Sequence, residues 1–142
     1  MRIEAQKELL ATRSDVWKLV AEPRHLSDWW PGYSTIRPDR RGFSEGARWE
    51  VVRGTAPGLL RRPRGEGVIV VATIESGLRF GWRDLQQGFV ADLLLEPAAE
   101  GNTRAMLSLD APMWRIVAEG LRPAPLQALA RLHALCQTAA GL

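Results

Sequence analysis

Three aspartates stand inside apolar, strand-like runs: Asp84 in RFGWRDL, Asp92 in FVADLLLE and Asp110 in AMLSLD. A carboxyl group among hydrophobic neighbours is desolvated, its pKa rises, and it becomes a candidate general acid or base for a cyclisation or a dehydration. Arg83 and Tyr33 are the groups nearest in type to orient an enolate. Strand alternation leaves two phases open. In one, Phe80, Trp82 and Asp84, then Val90, Asp92 and Leu94, then Met106, Ser108 and Asp110 face an interior. In the other, Ala91, Leu93, Leu95, Leu107 and Leu109 are inside and the aspartates are wet. The second phase is at least as apolar and is the preferred reading.

Other chemistry finds little support. His25 and His133 lie far apart and Cys136 is the one cysteine, so neither a metal site nor a Cys-His pair has the required spacing. His25 is expected at the surface or in a cap, and His133 at the edge of a helix. Neither GxGxxG nor a P-loop occurs, and no cofactor is expected. The six tryptophans are a large aromatic payload. Packing is the default reading for each, but buried indoles require hydrogen-bond partners, and such polar groups can orient a ligand.

The elements that position these residues follow from local signals. Thr12 with Asp15 forms a capping box in its aspartate form, so a helix starts near Arg13, with Val16, Leu19 and Val20 on one stripe. Pro23 ends that helix and opens a second, short one, which stops at Trp29, Trp30, Pro31 and Gly32. Six strands follow the first one: Tyr33 to Pro38, Ala47 to Arg53, Gly67 to Glu75, Leu78 to Leu85, Phe89 to Glu96 and Thr103 to Asp110. Short loops favour an antiparallel meander. The run GVIVVATIE does not alternate, which predicts cover on both faces or an interface. Met113 to Leu121 reads as helical, with a break at Gly120, Pro123 and Pro125. A last amphipathic helix carries Leu126, Leu129, Leu132, Leu135, Cys136 and Ala139 on one side and closes at Gly141.

The 142 residues, 46% hydrophobic and 25% charged, suit one globular domain over 1–142. A net charge of +3 comes from 19 basic and 16 acidic residues. Arg61, Arg62 and Arg64 fall in a Gly/Pro-rich loop without interleaved aromatics, so no nucleic-acid partner is expected. No apolar run approaches the roughly 20 residues needed to span a bilayer, so membrane insertion is not expected. The lone cysteine and the absence of a signal-like start suggest a cytoplasmic protein.

The order strand, two short helices, six strands, long helix resembles the helix-grip fold of the START and birch-pollen-allergen (SRPBCC) superfamily, most closely its bacterial polyketide cyclase/dehydrase and lipid-transport-like branch. The resemblance rests on AT-x-x-x-VW at Ala11 to Trp17, the AEP turn at Ala21 to Pro23, DWWPG at Asp28 to Gly32, Glu45-Gly46-Ala47, and the connection from Leu95 to Arg104. It covers nearly the whole chain. It implies an α+β fold in which a seven-stranded curved antiparallel sheet wraps the C-terminal helix around an apolar cavity. The expected function is binding of a hydrophobic or aromatic small molecule there, with Trp30, Tyr33, Trp49, Trp82, Leu94, Met106, Met113 and Leu121 as lining. A cyclase or dehydratase using a cavity carboxylate, and a protein-interaction module such as a chaperone co-activator or toxin, are the alternatives. Homodimerisation through a sheet edge or the aromatic elbow stays open.

Overall fold

Alternation of side chains along seven strands determines which residues meet inside. The computed structural model describes residues 1–53 and 66–140. The strands are β1 (Arg2–Leu9), β2 (Tyr33–Arg37), β3 (Arg48–Arg53), β4 (Glu66–Glu75), β5 (Arg79–Asp84), β6 (Phe89–Pro97) and β7 (Thr103–Asp110). They form one antiparallel sheet in the order β1-β7-β6-β5-β4-β3-β2. Register irregularities between Tyr33 and Thr35 and between Val71 and Thr73 bend the β2 and β4 ribbons, the local device by which a sheet curls. The basic loop expected around Arg61 to Arg64 lies outside the described residues.

The helices close the concave side. Helix α1 (Arg13–Val20) is capped as the sequence predicts, with Thr12 Oγ1 accepting from the Asp15 amide at 3.2 Å. A 3₁₀ turn with Pro23 in its first position leads into the single helical turn of α2 (Leu26–Trp29). α2 packs on both β2 and the C-terminal helix α4 (Ala124–Ala140), which itself lies along β1 and β7. The expected break precedes α4: α3 (Met113–Ala118) ends in a Schellman turn. There Gly120 takes φ of 62° and the Leu121 amide donates to Ile116 O at 3.0 Å. Among the described residues, no helix is long and apolar enough to cross a membrane.

Two sequence expectations change in register. On α4 the buried stripe is Ala124, Ala128, Leu129, Leu132 and Cys136, while Leu126 is 62% exposed. The stripe that β1 and β7 cover is therefore turned away from Leu126. On the sheet, Ala91, Leu93 and Leu95 of β6 pair across to Leu109, Leu107 and Ala105 of β7, and all six are buried. β5 presents Phe80, Trp82 and Asp84 to that same face, because they lie opposite Leu93, Ala91 and Phe89. The three aspartates thus split between the two faces. In β4, Ile69 and Val71 point inward, and Val68 and Val70 are half-buried on the convex side.

The α4 register has a direct stability test. Leu132→Ala should cost about 2–5 kcal/mol, and Leu126→Ala should stay within about 0.5 kcal/mol of the parent. Urea unfolding midpoints at constant slope measure both, and equal losses would refute the stripe described here.

Candidate functional site

At one end of the sheet, the first residue of β2, the last of β3 and the last of β5 converge on one buried carboxylate. Asp84 has no solvent exposure. Its Oδ2 accepts the Tyr33 hydroxyl at 2.6 Å, and Arg53 Nη2 lies 2.8 Å from both carboxylate oxygens. Oδ1 also takes the backbone amides of Gln86 and Gln87 at 3.0 and 2.7 Å. The tight turn after β5 therefore wraps its N–H groups around the carboxylate that ends the strand. Trp82 Nε1 donates to the Tyr33 hydroxyl at 3.3 Å, and the Arg53 guanidinium sits 5.7 Å from the Tyr33 ring centroid.

Arg53 reaches β5 by crossing β4, and Gly67 leaves room there for Gln86, whose Oε1 accepts from Arg53 Nε at 3.2 Å. A Cβ at Gly67 would come within 2.5 Å of Gln86 Oε1 and 3.4 Å of Arg53 Nη2. Neither Arg53 nor Gly67 was singled out from the sequence. Arg53 carried a signal nonetheless: in RWEVVR it shares the inward parity of Trp49 and Val51, both fully buried.

The remaining proton-transfer candidates are elsewhere. Asp92 is on the convex face, bound by Arg79 through Nε at 2.9 Å and Nη2 at 2.6 Å. Asp110 is 63% exposed and Arg83 is exposed. The preferred wet reading thus describes Asp92 and Asp110, but not Asp84. Donors occupy both oxygens of Asp84, so it anchors its neighbours. Tyr33 is unsuited to give up its proton. Burial, then the Asp84 charge and the hydrogen bond to it, hold its pKa well above that of a free phenol.

An aromatic lining runs from this cluster across the concave face. Trp30 meets Trp82 edge-on with centroids 5.1 Å apart, Phe80 stacks on Trp82 at 5.2 Å, and Trp49 stacks on Phe80 at 6.0 Å. Trp29 closes over Trp82 from α2 at 5.7 Å. Trp49 Nε1 donates to Gly42 O at 2.8 Å, whereas Trp29 Nε1 is buried with no partner among the described residues. Of the expected lining, Trp30, Tyr33, Trp49, Trp82 and Leu121 are buried inside. Leu94 and Met106 instead share the convex parity of Asp92 and Ser108 and line a shallow depression with Ala5. Met113, in the first turn of α3, is 62% exposed, and Ile116 is the α3 residue that is buried.

Clefts lined wholly by described residues open at the periphery. One of about 260 Å³ lies between α1 and the end of α4, with Ala11, Leu19, Cys136 and Ala139 as its apolar walls and Asp15 and Lys18 as charged lining. Burial pushes the Cys136 thiol up to about 11, which leaves it an unreactive wall residue. His25 is a cap, its Nδ1 lying 2.9 Å from Leu19 O, and His133 is half-buried on α4.

Two measurements test the polar cluster. Asp84→Ala strands Arg53 beside buried rings and should cost about 3–5 kcal/mol, against at most about 1 kcal/mol for Asp92→Ala. Tyr33 is the chain's one tyrosine, so phenolate absorbance reports it alone. Its raised pKa means that the unfolded chain loses this proton first, near pH 10. The Tyr33 contribution to native stability is then constant below that pH and falls as pH climbs from there toward the folded-state value. A phenolate signal at pH 10 from folded protein would contradict this geometry.

Solved structures share this architecture. A protein of Nitrosomonas europaea superimposes with a TM-score of 0.76 at 19% identity, over 100% of this chain and 97% of its own. The allergen Ara h 8.0201 gives 0.73 at 12% identity, over 97% and 98%. Norcoclaurine synthase of Thalictrum, solved as a point mutant with a transition-state analogue, gives 0.68 at 16% identity, over 98% and 95%. At these identities the likeness is one of fold. No curated protein matches the sequence. Residues 1–137, which carry the sheet, the aromatic lining and nearly all of α4, match the family described as polyketide cyclase/dehydrase and lipid transport, and the chain belongs to that family.

Proposed function

We propose that the protein binds a hydrophobic or aromatic small molecule between the concave sheet and α4, against the lining of Trp29, Trp30, Trp82 and Phe89. The observation that carries this reading is the buried Trp29 N–H, which has no partner among the described residues, on a ring that packs edge-on against Trp82. A buried donor left unmade costs about 1–3 kcal/mol, and a ligand carbonyl or ether oxygen recovers it. Transfer of apolar ligand surface from water supplies the rest of the driving force, less the ordering costs of association. Entry requires the rings to part. α2, a single turn that carries Trp29 and ends at Trp30, covers the Trp82 ring and is the element a ligand has to displace, against its packing on β2 and α4.

A cyclase or dehydratase reading is disfavoured by the saturation of Asp84 and by the outward positions of Asp92 and Asp110. Under the binding reading, Tyr33 and Arg53 border the ligand as a polar edge and transfer no proton. Delivery of a lipid is a narrower form of the same reading.

The test is a pair of size-matched probes, acetylnaphthalene and ethylnaphthalene, titrated by tryptophan quenching, with native mass spectrometry of the freshly purified protein alongside. Both should bind, the ketone more tightly. Trp29→Phe should remove the ketone's advantage, about tenfold, and leave the hydrocarbon unchanged. No uptake of either probe and no co-purified molecule would end the proposal.

A further inference from the structure

Most of the large apolar residues that the fold leaves outside are gathered at one end. Of the eight large hydrophobic residues exposed among the described residues, five are Leu85, Val90, Met113, Trp114 and Val117. Met113, Trp114 and Val117 stand at helical spacings of three and four, so they form one patch on the outer side of α3, 62%, 63% and 72% exposed respectively. Arg115 Nη1 joins α3 to the turn after β5 by donating to Gln86 O at 3.1 Å, which brings Leu85 to the same end. Val90 lies opposite Asp110 at the mouth of the chain's path into α3.

The charges around this patch are predominantly basic. The Arg115 guanidinium lies 4.5 Å from the Trp114 ring centroid, and Arg83 and Arg122 are exposed with no ion pair among the described residues. Three acidic groups are close by, and each has a partner; Asp92, beside Val90, is bound by Arg79 at 2.6 Å. Glu119 is held by Arg115 at 4.0 Å and by Gln87, and Asp110 lies 3.8 Å from the terminal amine. A tryptophan flanked by methionine and valine, with arginines beside it, has the composition that sits at the boundary of lipid headgroups and acyl chains. Area argues against a second protein: three such side chains offer roughly 400 Å², about half of the ~800 Å² per partner in a stable complex.

We infer that the outer face of α3, with Leu85 beside it, is a reversible docking surface for an anionic lipid bilayer. The contact is peripheral, since the patch is one short helix deep. It stands apart from the ligand reading, but the geometry links the two: the turn that α3 holds through Gln86 is the one whose amides bind Asp84, so docking would bring the polar edge of the aromatic lining to the lipid surface.

Cosedimentation with vesicles tests this. The protein should bind vesicles of equimolar phosphatidylglycerol and phosphatidylcholine, bind phosphatidylcholine alone more weakly, and release at high salt. The double variant Trp114→Glu, Val117→Glu should lose about tenfold or more in partitioning. Leu10→Glu, at the opposite end of β1 and also exposed, should lose nothing. Circular dichroism checks that the variants fold. Absence of binding to the anionic vesicles, indifference to the double substitution, or a solution dimer that the double substitution dissolves would each overturn the inference. Naphthyl-probe uptake without vesicles should be unaffected by the double substitution, so the ligand reading and the docking surface fail separately.

Discussion

A carboxylate with no access to water must be neutralised where it stands, and much of this structure is arranged around that requirement. Asp84 ends β5 inside the sheet. Its partners come from β2, from β3 and from the turn that follows it, so one charge ties together three strands that are not all neighbours in the sheet. Replacing the pair by apolar groups of equal volume need not cost stability, whereas removing one member leaves a bare ion in a low-dielectric interior. The arrangement therefore gives the site a fixed geometry more than it gives the fold free energy. Gly67 belongs to the same constraint, because a side chain there would collide with Gln86 Oε1, which accepts from the arginine that answers the carboxylate.

The aromatic lining is the apolar counterpart of that polar anchor. Edge-to-face and stacked contacts run from α2 through Trp82 and Phe80 to Trp49, and the Trp17 ring continues them from α1 through Phe43. Rings at these separations hold one another by their quadrupoles as well as by burial. Two of the four buried indoles, those of Trp49 and Trp82, donate locally, to Gly42 O and to the Tyr33 hydroxyl. The unanswered one at Trp29 lies on the shortest helix. Polar anchor and aromatic cover thus meet at Trp82, which touches both.

The exterior has a similar division. The convex sheet carries ion pairs such as Arg79 with Asp92 and a half-buried apolar scatter of Val68, Val70, Leu94 and Met106. The end bearing α3 concentrates larger apolar side chains on a helix too short to bury more than one face. Its inner side chain, Ile116, is spent on the core, and its Schellman turn hands the chain directly to α4. A helix held so closely has no freedom to hide Trp114.

Local rules in the sequence by itself determined the elements: the Thr12 cap, the Pro23 junction, the break at Gly120, a first strand, and six further strands whose spans differ from the observed ones by at most one residue at either end. These depend on neighbours within a few residues, and so does the family resemblance they add up to. Pairing decided the rest. Strand parity offers two faces and no means of relating one strand's phase to the next, so Asp84, Asp92 and Asp110 read alike until the register set Asp84 opposite Phe89 and on the inner face. Arg53 could be read as an inward charge from Trp49 and Val51 alone, but its partner, thirty-one residues away, could not. The helical wheel misplaced Leu126 for a related reason: which stripe of α4 is inside depends on where β1 and β7 lie. Periodicity is a property of the chain, whereas phase and partnership are properties of the contacts it makes with itself.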